Sequence, residues 1–313
     1  MEEILKILKS FEKFVLVGHI SPDGDAIGSC FGLAYALQAM GKKVTVLLEK
    51  YPEKYNILPG AEFLQDEAGD FDYIVALDCA DIDRIGAGKD IFINATNTIC
   101  IDHHVTNKGF AKHNYIVANA SSTSEIVYRF VEKLAPTCKN IATAIYAGIV
   151  CDTGGFKYDA TAISTMEIAT KLMATGIDFT HIYNEVLHMH TFAAAKAKGI
   201  VLENAVSVMD GKVVYSYITL AALDKVGARS SDLDGCVEYL INTNGAKAAA
   251  IIYEKHGMDG QVKISFRARG ADVGHVATQL GGGGHTFAAG CTITATVQEA
   301  IDMAIPLMLA EVR

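Results

Sequence analysis

Short apolar runs alternate with helical patterns through the first half of the 313-residue chain, and this alternation limits the folds that the chain can adopt. Runs of strand length lie at residues 15–18, 44–48, 73–78 and 98–102, and apolar residues at helical spacing lie between several of them. Strands separated by helices pair in parallel, and the helices then cover the sheet. The pattern predicts an α/β domain with a mostly parallel sheet and helices on both faces.

After Asn204 the pattern changes to that of a second domain. The segments with strand or helix patterns there are, in order, 212–220, 248–254, 261–267, 272–280 and 298–311. We therefore predict three parts. They are a domain over residues 1–180, a nearly continuous helical connector that includes residues 181–203, and a smaller C-terminal α/β domain over residues 204–313.

Composition is typical of a globular protein and argues against two classes of function. Half of the residues are apolar, so each domain can bury a core, and no apolar run approaches the roughly 20 residues of a membrane span. The net charge of -9 argues against binding of long duplex nucleic acid, but it permits a short anionic ligand.

Seven cysteines without a C-x-x-C pair suit a reducing compartment, so we expect a cytoplasmic protein. The oligomeric state stays open, with a homodimer as one option.

Acidic and imidazole side chains gather where the predicted strands and one predicted helix end. They are His19, Asp23, Asp25, Asp78, Asp102, His103, His104 and Asp152. In an open α/β sheet, ligands bind at the carboxyl ends of the strands. This oxygen-rich set with some nitrogen suits Mn²⁺ or Mg²⁺, and so many carboxylates together favour two divalent cations as their neutralising partner. A single such aspartate is usually a helix cap or a turn residue. That alternative weakens when it must apply at four successive places, and it does not easily explain adjacent histidines.

These residues stand in motifs that resemble those of the DHH phosphoesterase family. In chain order, the motifs are HISPDGDAIGS from His19, LDCADIDRIG from Leu77, IDHH from Ile101 and AGIVCDTGGF from Ala147. The later segments SFRAR and GGGGHTFAAG resemble the DHHA1-type domain of the subfamily of nano-RNases, oligoribonuclease and adenosine bisphosphate phosphatase proteins, and di-nucleotide phosphodiesterases. The resemblance covers nearly the whole chain. Thr286 departs from it, since proline is common at that position, and this affects a turn but no ligand.

The resemblance implies a centre of two Mn²⁺ ions in the first domain, with Mg²⁺ or another divalent cation as an alternative. The implied ligands are His19, Asp23, Asp25, Asp78, His103 and Asp152. Asp78 would bridge the ions, with His19 and Asp23 on one ion and the remaining ligands on the other. The implied catalytic residues are Asp78, His104, which points to the phosphate, and Asp102, which orients a neighbouring histidine.

The four glycines of residues 281–284 allow two interpretations. On composition alone, a glycine run is a flexible linker. The predicted helix before the run and the small residues after it favour instead a loop whose amides approach an anion, with Arg267 and His285 as further donors. The resemblance assigns substrate binding to this loop, and so to Arg267, Gly283, Gly284 and His285.

The resemblance further implies a Mn²⁺-dependent hydrolase whose active site lies in the cleft between the two domains. Its expected substrates are short oligonucleotides, such as nanoRNA or linear di-adenylate, and adenosine 3′,5′-bisphosphate. The alternatives are a cyclic di-nucleotide phosphodiesterase and a non-catalytic nucleotide sensor. A sensor has no need of a full set of metal ligands, and an inorganic pyrophosphatase would lack the GGGGH loop. The sequence does not rank the nucleotide substrates, because base recognition depends on the shape of the cleft.

Overall fold

The computed structural model describes residues 1–312, which form two compact units. The first unit spans Met1–Met189, and the second begins at His190. The boundary falls inside the predicted connector. Within the described residues, no helix has both the length and the apolar character needed to cross a membrane.

The first unit contains a sheet of five parallel strands in the order β2–β1–β3–β4–β5. The strands are β1 (Lys13–Val17), β2 (Lys43–Leu47), β3 (Tyr73–Leu77), β4 (Thr98–Asp102) and β5 (His113–Ile116). The parallel α/β sheet predicted from the sequence is confirmed. The edge strand β5 was missed, because its four residues, HNYI, are short of apolar side chains and stay partly exposed.

Helices cover both faces of this sheet, as the sequence predicts. They are α1 (Glu2–Ser10), α2 (Gly24–Ala39), α3 (Lys89–Asn94), α4 (Thr123–Leu134), α5 (Lys139–Asp152), α6 (Ile163–Ala174) and α7 (Phe179–Leu187). Alternate residues of β1 show the two faces. Phe14 and Leu16 pack into a core with α2, α4 and α5, whereas Val15 and Val17 pack on the opposite face with Phe92 of α3.

The packing of α2 against α5 helps to fix the position of the start of α2. Nearly all of α2 is buried, as expected for a helix that is apolar on every side. Gly28 lets the two helices approach, since a Cβ at this position would lie 2.4 Å from the backbone oxygen of Ala144. Asp23 caps the start of α2 by accepting hydrogen bonds from the amides of Asp25 and Ala26 at 3.0 and 3.2 Å. The start of α2 is thereby fixed just after β1.

The second unit contains a six-stranded mixed sheet in the order β10–β11–β9–β8–β7–β6, in which β7 and β8 are parallel and the other neighbours antiparallel. The strands are β6 (Val206–Val208), β7 (Val213–Ile218), β8 (Ala248–Glu254), β9 (Gln261–Ala268), β10 (Gly283–His285) and β11 (Ala288–Thr294). Its helices are α8 (Phe192–Glu203), α9 (Leu220–Val226), α10 (Cys236–Ile241), α11 (Val273–Gln279) and α12 (Val297–Glu311). The predicted smaller α/β domain is confirmed, although the sequence reasoning missed β6, β10 and β11.

Alternating residues of β8 again separate two cores. Ala250 and Ile252 pack with α11 and α12, while Ile251 and Tyr253 pack with α8 and α10.

The nearly continuous helix predicted up to residue 203 is interrupted in the structure. It consists of α7 and α8, with residues 188–191 between them. Each helix has its own N-terminal cap: Asp178 accepts a hydrogen bond from the amide of His181, and Thr191 accepts one from the amide of Ala194. Local capping therefore divides a segment whose composition alone favours one long helix.

Candidate metal centre

Six of the eight predicted acidic and imidazole residues line one cavity at the carboxyl edge of the parallel sheet, and Asp25 and Asp102 lie outside its lining. The cavity has a volume of about 230 Å³. Its lining residues are His19, Asp23, Asp78, Ala80, Arg84, His103, His104 and Asp152. They come from the segments after β1, β3 and β4 and from the end of α5. The fold thus brings together residues that lie more than 130 positions apart in the sequence.

Three overlapping groups in this region have ligand atoms within 4.8 Å of one another. The groups are His19–Asp23–Asp78, Asp78–His103–His104 and Asp25–His103–Asp152. Asp78 lies between two histidines: its Oδ2 is 3.6 Å from His19 Nε2, and its Oδ1 is 3.6 Å from His103 Nε2. His103 Nε2 also lies 3.2 Å from Asp152 Oδ2. The two oxygens of Asp78 therefore face opposite halves of the ligand set.

Asp78 is held in a conformation that few residues other than glycine adopt. Its φ angle is +59°, in the left-handed region, and its side chain is almost fully buried. The amide of Asp78 donates to Ile101 O of the neighbouring strand at 3.2 Å. Thr123 Oγ1 donates to Asp78 Oδ1 at 2.9 Å. Such strain persists only where the surroundings enforce it, and it is concentrated at functional sites.

The start of α4 organises the inner side of the cluster. The amides of Thr123 and Ser124 donate to the two oxygens of Asp25 at 2.6 and 2.8 Å. Ser122 caps the helix by accepting a hydrogen bond from the amide of Glu125 at 3.0 Å. From the sequence, the run SSTS at residues 121–124 most simply predicts a cap for the following helix, with a phosphate contact as the lesser alternative. The roles of Thr123 and Ser124 toward Asp25 and Asp78 were missed, since nothing local to the run shows what it will face.

Asp102 lies behind the cavity and contacts His104. Its Oδ1 is 2.8 Å from His104 Nδ1, and its Oδ2 accepts a hydrogen bond from Asn107 Nδ2 at 2.8 Å. Asn107 Nδ2 also donates to Cys79 O at 3.0 Å, which ties the loops after β3 and β4 together. Asn107 was not singled out from the sequence, although it follows the IDHH motif directly in the run VTN. The contact leaves His104 Nε2 as the ring nitrogen available toward the cavity.

The electrostatics of the cluster indicate a site for divalent cations. Burial and the nearby carboxylates of Asp25 and Asp23 raise the pKa of Asp78 well above its usual range. The same causes raise the pKa of Asp152 to about 9. Buried carboxylates that repel one another ionise together only when positive charge is close. The donor set, with carboxylate oxygens and imidazole nitrogens at short range, fits hard divalent cations.

The four residues predicted to bind substrate lie in the second unit. Gly283, Gly284 and His285 form the exposed edge strand β10 rather than a free loop. Gly284 has a φ of +145°, and a Cβ there would lie 2.5 Å from Ala289 Cα, so the glycine is needed for strand pairing. Arg267 on β9 donates through Nε to Glu238 Oε1 at 2.9 Å and keeps more than a third of its side chain exposed.

Two family models match the chain. The model described as the DHH family, N-terminal domain, matches residues 13–149, and the DHHA1 domain model matches residues 210–311. The first match includes His19, Asp78 and His103, and the second includes Arg267 and His285.

Known proteins resemble this chain over most of its length. A Bacillus subtilis protein named bifunctional oligoribonuclease and PAP phosphatase NrnA is 28% identical over 307 residues, which cover 93% of this chain and 92% of that protein. The crystal structure of an exopolyphosphatase-related protein from Bacteroides fragilis is 28% identical, with a TM-score of 0.89 over 99% of this chain and 95% of the other. The structure of RecJ in complex with Mn²⁺ from Thermus thermophilus shares the fold, with a TM-score of 0.54 at 15% identity over 99% of this chain and 53% of that one.

Proposed function

The chain belongs to the family of phosphoester hydrolases that joins a DHH N-terminal domain to a DHHA1 domain, and on this premise we propose that it is a two-metal phosphoesterase for short oligonucleotides. The proposed substrates are nanoRNA, linear di-adenylate and adenosine 3′,5′-bisphosphate, and the proposed products are mononucleotides. The name of the Bacillus subtilis relative, an oligoribonuclease and PAP phosphatase, supports this substrate class. Mn²⁺ is the proposed ion, and the RecJ protein of the same fold was solved with that ion.

The observation that carries the proposal is the position of Asp78 between two groups of ligands. One side of Asp78 faces His19 and Asp23, and the other faces His103 and through it Asp152 and Asp25. We propose that His19, Asp23 and Asp78 hold one cation. The second cation would be held by Asp25, Asp78, His103 and Asp152. When bound, such a pair supplies Lewis acidity and an activated water for attack on phosphorus.

Residues around the centre can orient the phosphate, and one of them, His104, can donate a proton to it. The hydrogen bond with Asp102, which outweighs burial, raises the pKa of His104. The Nε2–H of a protonated His104 is then a donor to a phosphate oxygen or to the leaving oxygen. Asp102 acts through His104, because it fixes the ring at Nδ1 and does not line the cavity.

We assign the nucleotide end of the substrate to Arg267, Gly283, Gly284 and His285 of the second unit. The three β10 residues are exposed, and Gly283 and Gly284 have no side chain to obstruct an approaching anion. Arg267 can keep its Nε bond to Glu238 and its Nη1 bond to Phe266 O while Nη2 turns to a phosphate.

A substrate panel tests the proposal. The purified chain is loaded with Mn²⁺ and assayed against di-adenylate, a five-nucleotide RNA, adenosine 3′,5′-bisphosphate, cyclic di-AMP and pyrophosphate. We expect turnover of the first three with mononucleotide products. Preferred turnover of cyclic di-AMP or pyrophosphate would overturn the substrate assignment. Metal binding without turnover of any compound would indicate a nucleotide sensor instead of an enzyme.

A further inference from the structure

The cavity that contains the predicted metal ligands has one lining residue whose role the ligand set does not explain. Among the lining residues, Arg84 is the one arginine or lysine side chain. It lies on the short 3₁₀ turn Ile82–Arg84, which follows β3. Within residues 1–312, its guanidinium makes no hydrogen bond or ion pair. An unpaired guanidinium beside several carboxylates is unexpected, because arginine readily forms bidentate pairs with that group.

The structure shows why the acids next to Arg84 in the sequence do not pair with it. Asp81 accepts hydrogen bonds from the amides of Asp83 and Arg84 at 2.8 and 3.0 Å, and so caps the turn. Asp83 pairs with Lys89 at 2.9 Å. Both neighbouring carboxylates are therefore engaged, and the guanidinium stays available toward the cavity.

Backbone contacts fix the base of the Arg84 side chain beside the ligand cluster. The amide of Ile20, the residue after His19, donates to Arg84 O at 2.8 Å. The amide of Gly86 donates to Gly18 O at 3.0 Å, and His19 forms a bridge with Ile85. The turn that carries Arg84 is thus attached directly to the segment that carries His19. The backbone of Arg84 is therefore held at the rim of the cavity.

The charge balance of the cavity indicates a function for the unpaired guanidinium. Asp23, Asp25, Asp78 and Asp152 carry negative charges that two divalent cations would balance. The remaining acid, Asp102, is hydrogen-bonded to His104. Arg84 is the group that then makes the cavity net positive, which is the sign needed to attract a phosphate.

We propose that Arg84 binds a non-bridging oxygen of the phosphate that is cleaved. It acts as the anion-recognition residue of the first unit, distinct from the predicted metal ligands and from the residues assigned to the nucleotide end. The inference rests on the proposed phosphoesterase function, and it adds the group that attracts and orients the reacting phosphate. A guanidinium suits this task because two of its N–H groups can contact two phosphate oxygens at once.

The test compares Arg84→Ala, Arg84→Lys and the control Lys43→Ala in the full chain. Lys43→Ala removes the same charge from the exposed start of β2, away from the carboxyl edge of the sheet, and does not alter the cavity lining. Binding of AMP and of inorganic phosphate is measured by calorimetry in the presence of Mn²⁺. Bound Mn²⁺ per chain and the melting temperature are measured in parallel, and kcat and KM are measured with di-adenylate.

We expect Arg84→Ala to weaken AMP binding by about 10- to 100-fold, in line with the loss of charge-assisted hydrogen bonds. Metal content and melting temperature should not change. Arg84→Lys should fall between wild type and Arg84→Ala, because lysine keeps the charge but loses the planar fork. Lys43→Ala should bind AMP like wild type.

Three results would overturn the assignment: AMP binding by Arg84→Ala within twofold of wild type, an equal loss in Lys43→Ala, or a loss of Mn²⁺ that parallels the loss of AMP. Absence of any AMP or phosphate binding by the wild type would overturn it as well. Failure of the proposed function looks different. In that case the wild type turns over no oligonucleotide, while the contrast in AMP binding between Arg84→Ala and Lys43→Ala remains.

Discussion

Gly148→Ala is the sharpest test of how the helices hold the centre together. Gly148 lies on α5, where this helix passes the start of α4 and the side chain of Asp25. A Cβ at this position would lie 2.0 Å from Ser124 Oγ and 2.9 Å from Asp25 Oδ1. Contacts this short force Ser124 or Asp25 to move. The added methyl group should therefore disturb the hydrogen bond from the amide of Ser124 to Asp25 Oδ1, which is 2.8 Å long.

The size of the effect follows from three contributions. Overpacking of a filled interior costs about 1–3 kcal/mol. Weakening the bond between Ser124 and the buried Asp25 costs about 1–3 kcal/mol more. Replacing glycine by alanine within a helix stabilises the helix by roughly 1 kcal/mol. We expect a net loss of about 3 kcal/mol in the unfolding free energy of the first unit, which corresponds to a melting temperature roughly 6–12 °C lower.

Calorimetric melting and a Mn²⁺ titration measure both consequences of Gly148→Ala. The matched control is Gly199→Ala on α8, where the glycine is exposed and a Cβ would meet no atom within 4 Å. The control should melt at the wild-type temperature or slightly above it, because alanine is the better helix former. Gly148→Ala should melt lower and bind Mn²⁺ more weakly. If it melts like the control and binds Mn²⁺ like wild type, α4 and α5 do not position Asp25 as we infer.

Three further substitutions separate a structural acid from residues that bind metal or substrate. Burial opposes ionisation of Glu125, but hydrogen bonds from Ser121 and Thr165 lower its pKa below the usual 4.5. The ionised carboxylate therefore stabilises the folded state fully above pH 4.5, and this stabilisation is lost as the pH falls through the lowered pKa. In urea unfolding at pH 7, Glu125→Gln should lower the unfolding free energy by about 2–4 kcal/mol. The difference in unfolding free energy from wild type should become smaller in acid, and a difference independent of pH would contradict this reasoning. Asp78→Ala should abolish turnover and lower the Mn²⁺ content, whereas Arg267→Ala should raise KM at full Mn²⁺ content. Equal metal loss in both variants would refute this division of roles.

The fold was predictable where the sequence has strong local signals. The three central strands of the first sheet, β1, β3 and β4, are apolar runs, and each is buried on both faces. Strand β5 and strand β10 lack such a signal. Gly283–His285 forms a strand because its glycines permit close pairing with β11, and this requirement depends on a partner that only the folded chain provides. Local composition there favours a loop or a linker instead.

The candidate site shows the same limit. His19, Asp78 and His103 were found because each follows a strand in a motif that can be recognised alone. Thr123 contacts Asp78 across 45 residues of sequence, and the side-chain Nδ2 of Asn107 donates to Cys79 O in the loop after β3. Arg84 stood inside a recognised motif, yet its unpaired state follows from the engagement of Asp81 and Asp83, which the sequence does not show. Residues that act by hydrogen bonds between distant segments require the structure.

Two buried acids in the first unit distinguish a structural carboxylate from one arranged for cations. Glu125 and Asp78 are both almost fully buried. Glu125 is surrounded by donors, namely Ser121, Arg129, Ser164 and Thr165, and they keep its pKa low despite burial. Asp78 instead faces other carboxylates, which together with burial raise its pKa, and its backbone is strained. Glu125 therefore stabilises the fold by itself. Asp78 opposes folding when ionised, unless cations neutralise the cluster, and this cost is explained by a role in binding them.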